Sequence, residues 1–416
     1  MFRIRQVNSI VAYYYTLRYA AIAEALYAPI AKNPKSCSPK KNAENNISFN
    51  LTENDYMERK HYIDNLRWLC ILLLIPFHCA MAYNSWGEGN YIILGSDKIL
   101  SSFLSVIWPW FMPLLFLLAG ISARYSLKKR SKKQFVVERI LKLFVPFVFG
   151  TLFIAPILSY MADKINYGYN GNYFNHYAVF FTKWTDISGF DGGFTIAHLW
   201  FLLCLFIVSL IGCLFDLLLE KHIAKLNTEK TPLLALILFI LLAYAAYPLQ
   251  VAGKCLLTYL LLYLLGFYVF DREENIVKLI KFKWLFVGVC LVFTALSVWL
   301  FIWTDYSLTA LNSILTLLSG AFGILAMLSV GYSFLNKANK ITVFLSSISF
   351  SVYVVHFVWV VAFEYWFSLV NSNSAFVFFL TILCSFLATL ITSAAIKYCP
   401  VLNLAFGYKL KVRKQN

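Results

Sequence analysis

A chain of 416 residues that is 60% hydrophobic and 13% charged, with a mean hydropathy of +0.69, is too apolar for a water-soluble globule, whose apolar share is about 45 to 50%. The formal net charge of +16 does not indicate a nucleic-acid partner, because Lys and Arg fall in short connections between apolar runs, where they orient a membrane protein. The 9 cysteines contain no CxxC pair, and most of them (Cys70, Cys79, Cys204, Cys213, Cys290, Cys384) lie inside apolar segments, which argues for packing and against a disulfide framework or a zinc site.

Residues 1–56 stand apart from the rest. The stretch SIVAYYYTLRYAAIAEALYAPIA is amphipathic and interrupted by Arg18 and Glu24, so it is not read as a span. NPKSCSPKKNAENNISFNLTEN has the composition of a partly disordered cytoplasmic extension, without the apolar core and cleavage site of a signal peptide. MERKHYIDNLRWL opens like a complete membrane-protein start, and translation is expected to begin at Met57.

Ten apolar windows follow, near 66–84, 100–123, 140–161, 197–219, 232–248, 255–270, 284–303, 308–334, 342–367 and 375–396. They define an all-α fold, a polytopic membrane helical bundle of about ten transmembrane helices over 57–400, followed by a basic tail, 401–416. Cations crowd alternate connections: RYSLKKRSKKQFVVER at 124–139, then Lys221, Lys225 and Lys230, then Arg272, Lys278, Lys281 and Lys283, then Lys337 and Lys340. By the positive-inside rule this phase puts both termini in the cytoplasm.

The first span carries Arg67 and His78, the only strongly polar ionisable side chains in DNLRWLCILLLIPFHCA. Eleven steps of about 100° and 1.5 Å place both on one face about 16 Å apart. A central arginine costs roughly 2.5 to 3.5 kcal/mol on insertion scales, so such a face ordinarily meets a cavity or partner. Snorkelling of Arg67 with a hydrogen-bonded His78 is the structural alternative.

Further along, the outward connection 162–196 carries Tyr167, Tyr169, Tyr173, Tyr177, Trp184 and Gly192-Gly193, suited to interfacial packing or to contact with sugars. His356 lies about fifteen residues into the ninth span, at a depth similar to that of His78, so the two are expected to line one cavity. Ser349, Tyr353 and His356 form a second polar stripe, for which interhelical hydrogen bonding is the alternative reading. Glu364 lies near the outer end of the same helix. His61, His176 and His222 fall in connections and receive no role.

At YIDNLRWLCILLLIPFH the chain resembles the acyltransferase-3 family of integral-membrane O-acyltransferases, with Asp64, Leu66 and Arg67 in the places of its D-x-L-R and His78 in that of its histidine. WFMPLLFLLAG is similar to the family's second-helix pattern, although Ala119 stands where Ser is common. FVVERILKLFVPFVFG resembles its basic third-helix start, with Lys142 for a usual arginine, and HLWFL and SFSVYVVHF look like two more family segments. Together they cover about 57–400, with wording closest to the branch that acylates glucans and surface polysaccharides.

The resemblance implies transfer of a short acyl group from cytoplasmic acyl-CoA, a cosubstrate, to a hydroxyl of an extracytoplasmic glycan or lipid-linked acceptor, in a bacterial inner membrane. Histidine, with an ordinary pKa near 6.5, suits deprotonation of that hydroxyl, so His78 is expected to act as general base, with an acyl-histidine intermediate as the variant. Arg67, oriented by Asp64, is expected to meet the donor's phosphates or carbonyl oxygen. Arg139 and Lys142 are further donor contacts, which an orientation signal explains equally well. His198, Trp200, Tyr353 and His356 are expected on the acceptor side. No metal and no tightly bound cofactor is expected. A transporter of a glycan or small solute is the competing class, disfavoured by the lack of a visible repeat between the halves.

Overall fold

A computed structural model describes residues 60–223, 230–246, 249, 254–304, 314–370 and 373–406. The readings made above for residues 1–56, for the Met57 start and for the end of the tail lie outside them. The described residues form helices joined by connections, with no β-strand among them.

Helix α1 (His61–Met81) is followed by α2 (Lys98–Ile107) and α3 (Phe111–Lys129), and these by α4 (Lys132–Arg139), α5 (Val145–Phe153), α6 (Ala155–Asn166) and α7 (Tyr173–Thr182). Then come α8 (Trp200–Ile223), α9 (Leu233–Ala245), α10 (Leu256–Tyr268), α11 (Glu273–Ile280), α12 (Lys283–Val298), α13 (Ile314–Phe334), α14 (Lys340–Val370), α15 (Ser374–Tyr398) and α16 (Pro400–Ala405). Eight helical stretches among the described residues are long and apolar enough to cross a membrane. Each of the ten expected windows contains a helix, but α9 and α10 are only 13 residues long. At 1.5 Å per residue they reach about 20 Å, short of a hydrocarbon core of about 30 Å.

Local chemistry sets the helix starts. Asp97 accepts from the amides of Ile99 and Leu100, Ser131 from that of Gln134, and Asn373 from that of Phe376, each supplying a partner to amides that no preceding turn can satisfy. The third window is not one smooth helix. Ile140–Phe144 widens into a π-helical turn, and Ile154 interrupts the run before α6. Pro146 and Pro156 lie just beyond these irregularities, and each lacks the N–H that an uninterrupted α-helix would use.

The outer faces of the long helices carry exposed Leu238, Leu291, Val292, Phe379, Leu387 and Ile391, as a lipid-facing surface requires. Small residues let the interior approach closely. A Cβ on Gly120 of α3 would lie 2.0 Å from the Tyr263 carbonyl oxygen of α10, and one on Gly266 of α10 would lie 2.1 Å from that of Leu117. Between α12 and α13, Thr294 and Ser319 hydroxyls pair at 2.5 Å and those of Ser297 and Thr316 at 3.1 Å, satisfying buried polar groups across the seam.

One end of the bundle is knitted by charge. Arg124 pairs with Asp216 at 2.7 Å, Lys128 with Asp271 at 3.1 Å and Lys132 with Asp216 at 3.4 Å, while the Lys60 ammonium and the Tyr332 hydroxyl share Glu273. At the opposite end the connection after α6 folds into a cap. The sequence reading of this stretch as a connection is corrected here, because it contains α7, and His176 on that helix is fully buried against Asp163, Nε2 to Oδ2 3.1 Å. His61 likewise begins α1 and His222 belongs to α8.

Candidate active site

Pro76 sits inside α1, two residues before His78, and the helix continues through it to Met81. The His78 ring stacks on Phe357 of α14, with centroids 3.9 Å apart and planes 24° apart. Its centroid is 5.3 Å from that of His356, which in turn is 5.1 Å from that of His198. Three histidines from α1, α14 and the turn before α8 therefore form one cluster.

Two of the three are locked. Val354 presents a carbonyl, which only accepts, so His198 Nε2 carries the hydrogen of their 2.9 Å contact, and Nδ1 is left as a buried acceptor without a partner. His356 Nδ1 donates to the Tyr353 carbonyl at 2.7 Å, which leaves Nε2 in the same condition. The Tyr353 hydroxyl donates in return to the carbonyl of His198. Ala197, beside His198, has a φ of 47°, in the left-handed region that costs a residue with a Cβ about 1 to 3 kcal/mol. Its amide is held by Thr195 Oγ1 at 2.8 Å.

His78 differs from both. Among the described residues it makes no hydrogen bond, and its ring borders a cavity of about 590 Å³. That volume is within the range of small-molecule sites. His198, Trp200 and Tyr353 also line it, and His356 sits behind them without reaching it. Ser349 donates from Oγ to the Ser346 carbonyl at 3.0 Å and does not line the cavity.

Sequence reasoning assigned no role to several groups that tertiary folding brings to this cavity. Glu88 follows α1, Asp186 comes from the cap and Lys254 from the connection before α10. Trp86 Nε1 donates to Glu88 at 2.9 Å. The Ser188 hydroxyl and amide both donate to Asp186 and hold its carboxyl below the usual carboxylate range, hence charged. Lys254 Nζ lies 4.7 Å from the centre of the Trp200 ring, a cation–π contact. Nothing in the spacing of these residues marks them, since each belongs to a different connection.

The expected donor contacts lie elsewhere. Arg67 is absent from the cavity lining, which on α1 begins at Leu74. Its guanidinium donates to Asp64 at 3.0 Å and to the Ser122 hydroxyl of α3 at 2.8 Å. Arg139 lies over Phe135 at 4.5 Å, with its Nε buried and unpartnered, and within electrostatic range of Arg67. Lys142, in the π-helical turn, pairs with Glu138 at 3.3 Å. Arg67, Arg139 and Lys142 thus form a basic group on the charge-knitted side of the bundle, separate from the histidines. Among the described residues no group of three or more His, Cys, Asp or Glu is arranged to hold a metal ion. Glu364 on α14 is buried, and neither carboxyl oxygen has a partner.

A cavity ending in fixed imidazoles, inside a bundle whose exterior is apolar, is an arrangement that several chemistries can use. Comparison with curated proteins and with solved structures finds no match. A family model described as an acyltransferase domain, however, matches residues 60–398, which takes in every helix from α1 to α15 and all three histidines. The chain belongs to the acyltransferase-3 family and is a membrane acyltransferase.

Proposed function

We propose that the protein moves a short acyl group from acyl-CoA on the cytoplasmic side to a hydroxyl of an extracytoplasmic glycan or lipid-linked acceptor, with His78 as general base. The observation that carries this reading is His78 itself, the one imidazole of the cluster with both ring nitrogens uncommitted, bordering a cavity large enough for a sugar. An acceptor hydroxyl in the cavity gives its proton to His78 as its oxygen attacks the thioester carbonyl. The tetrahedral intermediate collapses by breaking the carbon–sulfur bond, and the proton passes to the departing CoA thiolate, so the imidazole is regenerated neutral. Phe357 keeps the ring in plane, and the chain of Tyr353, His198 and His356 hydrogen bonds fixes the wall beside it.

Orientation by the positive-inside rule sets the basic group of Arg67, Arg139 and Lys142 on the cytoplasmic side, where CoA phosphates meet a fixed fork of guanidinium donors. The cavity lining on α1 begins at Leu74, and in this reading the donor's thioester arm enters from the Arg67 side. A bacterial inner membrane is the setting that membership of the family supports.

Purified protein in lipid nanodiscs, given acetyl-CoA or succinyl-CoA and envelope glycans, tests the proposal through release of free CoA thiol and gain of acyl mass on the glycan. His78→Ala should lose both while retaining its melting temperature. Retained transfer in that variant removes His78 from the mechanism, and solute flux without thioester cleavage removes the enzymatic reading altogether. Ping-pong kinetics would convert the base into a covalent carrier.

A further inference from the structure

Lys254 is a cation on the cavity wall that makes no ion pair among the described residues, its nearest carboxylate influence being Glu88. Its ammonium rests over Trp200, at the end of an aromatic stack in which Trp200 meets Tyr259 at 5.7 Å and Tyr259 meets Phe116 at 4.4 Å. Among the described residues it has no hydrogen bond and no ion pair, although two carboxylates share the cavity. Glu88, held by Trp86, attracts Lys254 from beyond contact distance, and Asp186 is held by Ser188, so neither closes an ion pair with it. Burial draws the Lys254 ammonium below the ordinary lysine range, against the attraction of Glu88. A half-buried cation in such a wall is costly unless something neutralises it. A ring face offers only a partial partner.

On these grounds we infer that Lys254 is an anion subsite of the acceptor cavity, binding a negatively charged oxygen, carboxylate or phosphate, carried by the acceptor whose hydroxyl faces His78. This rests on the acceptor reading given above and names the chemical class it takes: an acidic sugar or a phosphorylated one, in preference to a neutral one. Lysine suits either group, since an ammonium is a compact point charge without the fixed fork that selects planar anions. The aromatic wall beside it supplies ring faces for the sugar's apolar side, and the cation fixes which end of the molecule enters first. Asp186 and Glu88, both exposed carboxylates on the same lining, disfavour an anion lodged beside them.

Binding measured without acyl donor separates this inference from the enzymatic one. Isothermal titration of detergent-purified protein with glucuronate, glucose 1-phosphate and glucose is expected to give at least tenfold tighter binding for one or both anions than for glucose. The stronger of the two anions identifies carboxylate or phosphate as the group recognised. Lys254→Gln should erase the preference, Lys254→Arg should retain most of it, and an unchanged melting temperature in the ligand-free variants shows that the fold survives. Equal affinity for all three ligands in the unaltered protein, or an anion preference that persists in Lys254→Gln, overturns the inference. Anion binding that depends on Lys254 in a protein that never cleaves acyl-CoA would uphold the subsite and reject the proposed chemistry.

Discussion

His78 of α1 and His356 of α14 come from opposite ends of the described chain, yet their ring centroids lie 5.3 Å apart, with Phe357 stacked against the first. Only His78 of this pair borders the cavity. The two should therefore fail differently. His78→Ala is expected to lower acyl transfer by about 10²- to 10⁴-fold, the usual contribution of a general base. His356→Ala, which removes a hydrogen bond behind the wall, is expected to cost about tenfold, corresponding to about 1.4 kcal/mol. Equal losses in the two variants, measured as CoA thiol release at saturating acetyl-CoA, would contradict the division of roles.

Arg67 divides its guanidinium between Asp64 and Ser122, a geometry that a lysine cannot reproduce because its three donors share one nitrogen. Arg67→Lys should raise the KM for acyl-CoA by about tenfold, the value of one charge-assisted hydrogen bond, while leaving acceptor affinity unchanged. A shift in acceptor affinity with an unaltered donor KM would place Arg67 on the wrong substrate.

The crossing of α3 and α10 is a close backbone approach, set by Gly120 and Gly266. An added methyl at Gly120 meets a carbonyl oxygen, which unlike a flexible side chain cannot swing aside. Gly120→Ala is expected to destabilise the protein by about 1 to 3 kcal/mol or more, as overpacking does elsewhere. Gly288→Ala, which meets nothing within 4 Å, is the control and should melt with the unaltered protein. Matching thermal midpoints for both variants in detergent would show that the crossing relaxes at no cost.

The cap carries a pH response. Burial holds the His176 imidazole below its ordinary value, outweighing the attraction of Asp163. A histidine whose folded pKa is depressed binds protons more readily when unfolded. Its contribution is thus intact above the unfolded value, about 6.5, and is lost as pH falls from there toward the folded value. Limited proteolysis within 167–196 should accelerate when the pH drops from about 7.5 to about 5.5, and His176→Gln should flatten that dependence. Cleavage at one rate across this interval would dissociate His176 from the stability of the cap.

Much of the bundle was readable in the chain because membrane helices are defined locally. An apolar run near 20 residues, a basic connection, or an arginine and histidine eleven positions apart is a property of one segment and survives any arrangement of its neighbours. Part of the cavity lining was legible: His78, His198, Trp200 and Tyr353 were named from the chain, His356 was expected beside His78, and the Asp64 to Arg67 contact followed from helical spacing. Lys254 was not, because a lone lysine in a connection has the same sequence signature whether it faces headgroups or a cavity. His176 was misjudged for the same reason, its burial being created by Asp163 and the fold of the cap.

The sequence by itself thus determined an all-α membrane bundle and the polar face of its first helix, since periodicity and transfer free energy act within each segment. Tertiary structure alone decided that Lys254, Glu88 and Asp186 line the cavity that His78 borders, that His356 sits behind its wall, and that Arg67 and Arg139 lie outside it. Which helices become neighbours depends on long-range packing, here on backbone approaches such as Gly120 against Tyr263, that no single segment encodes.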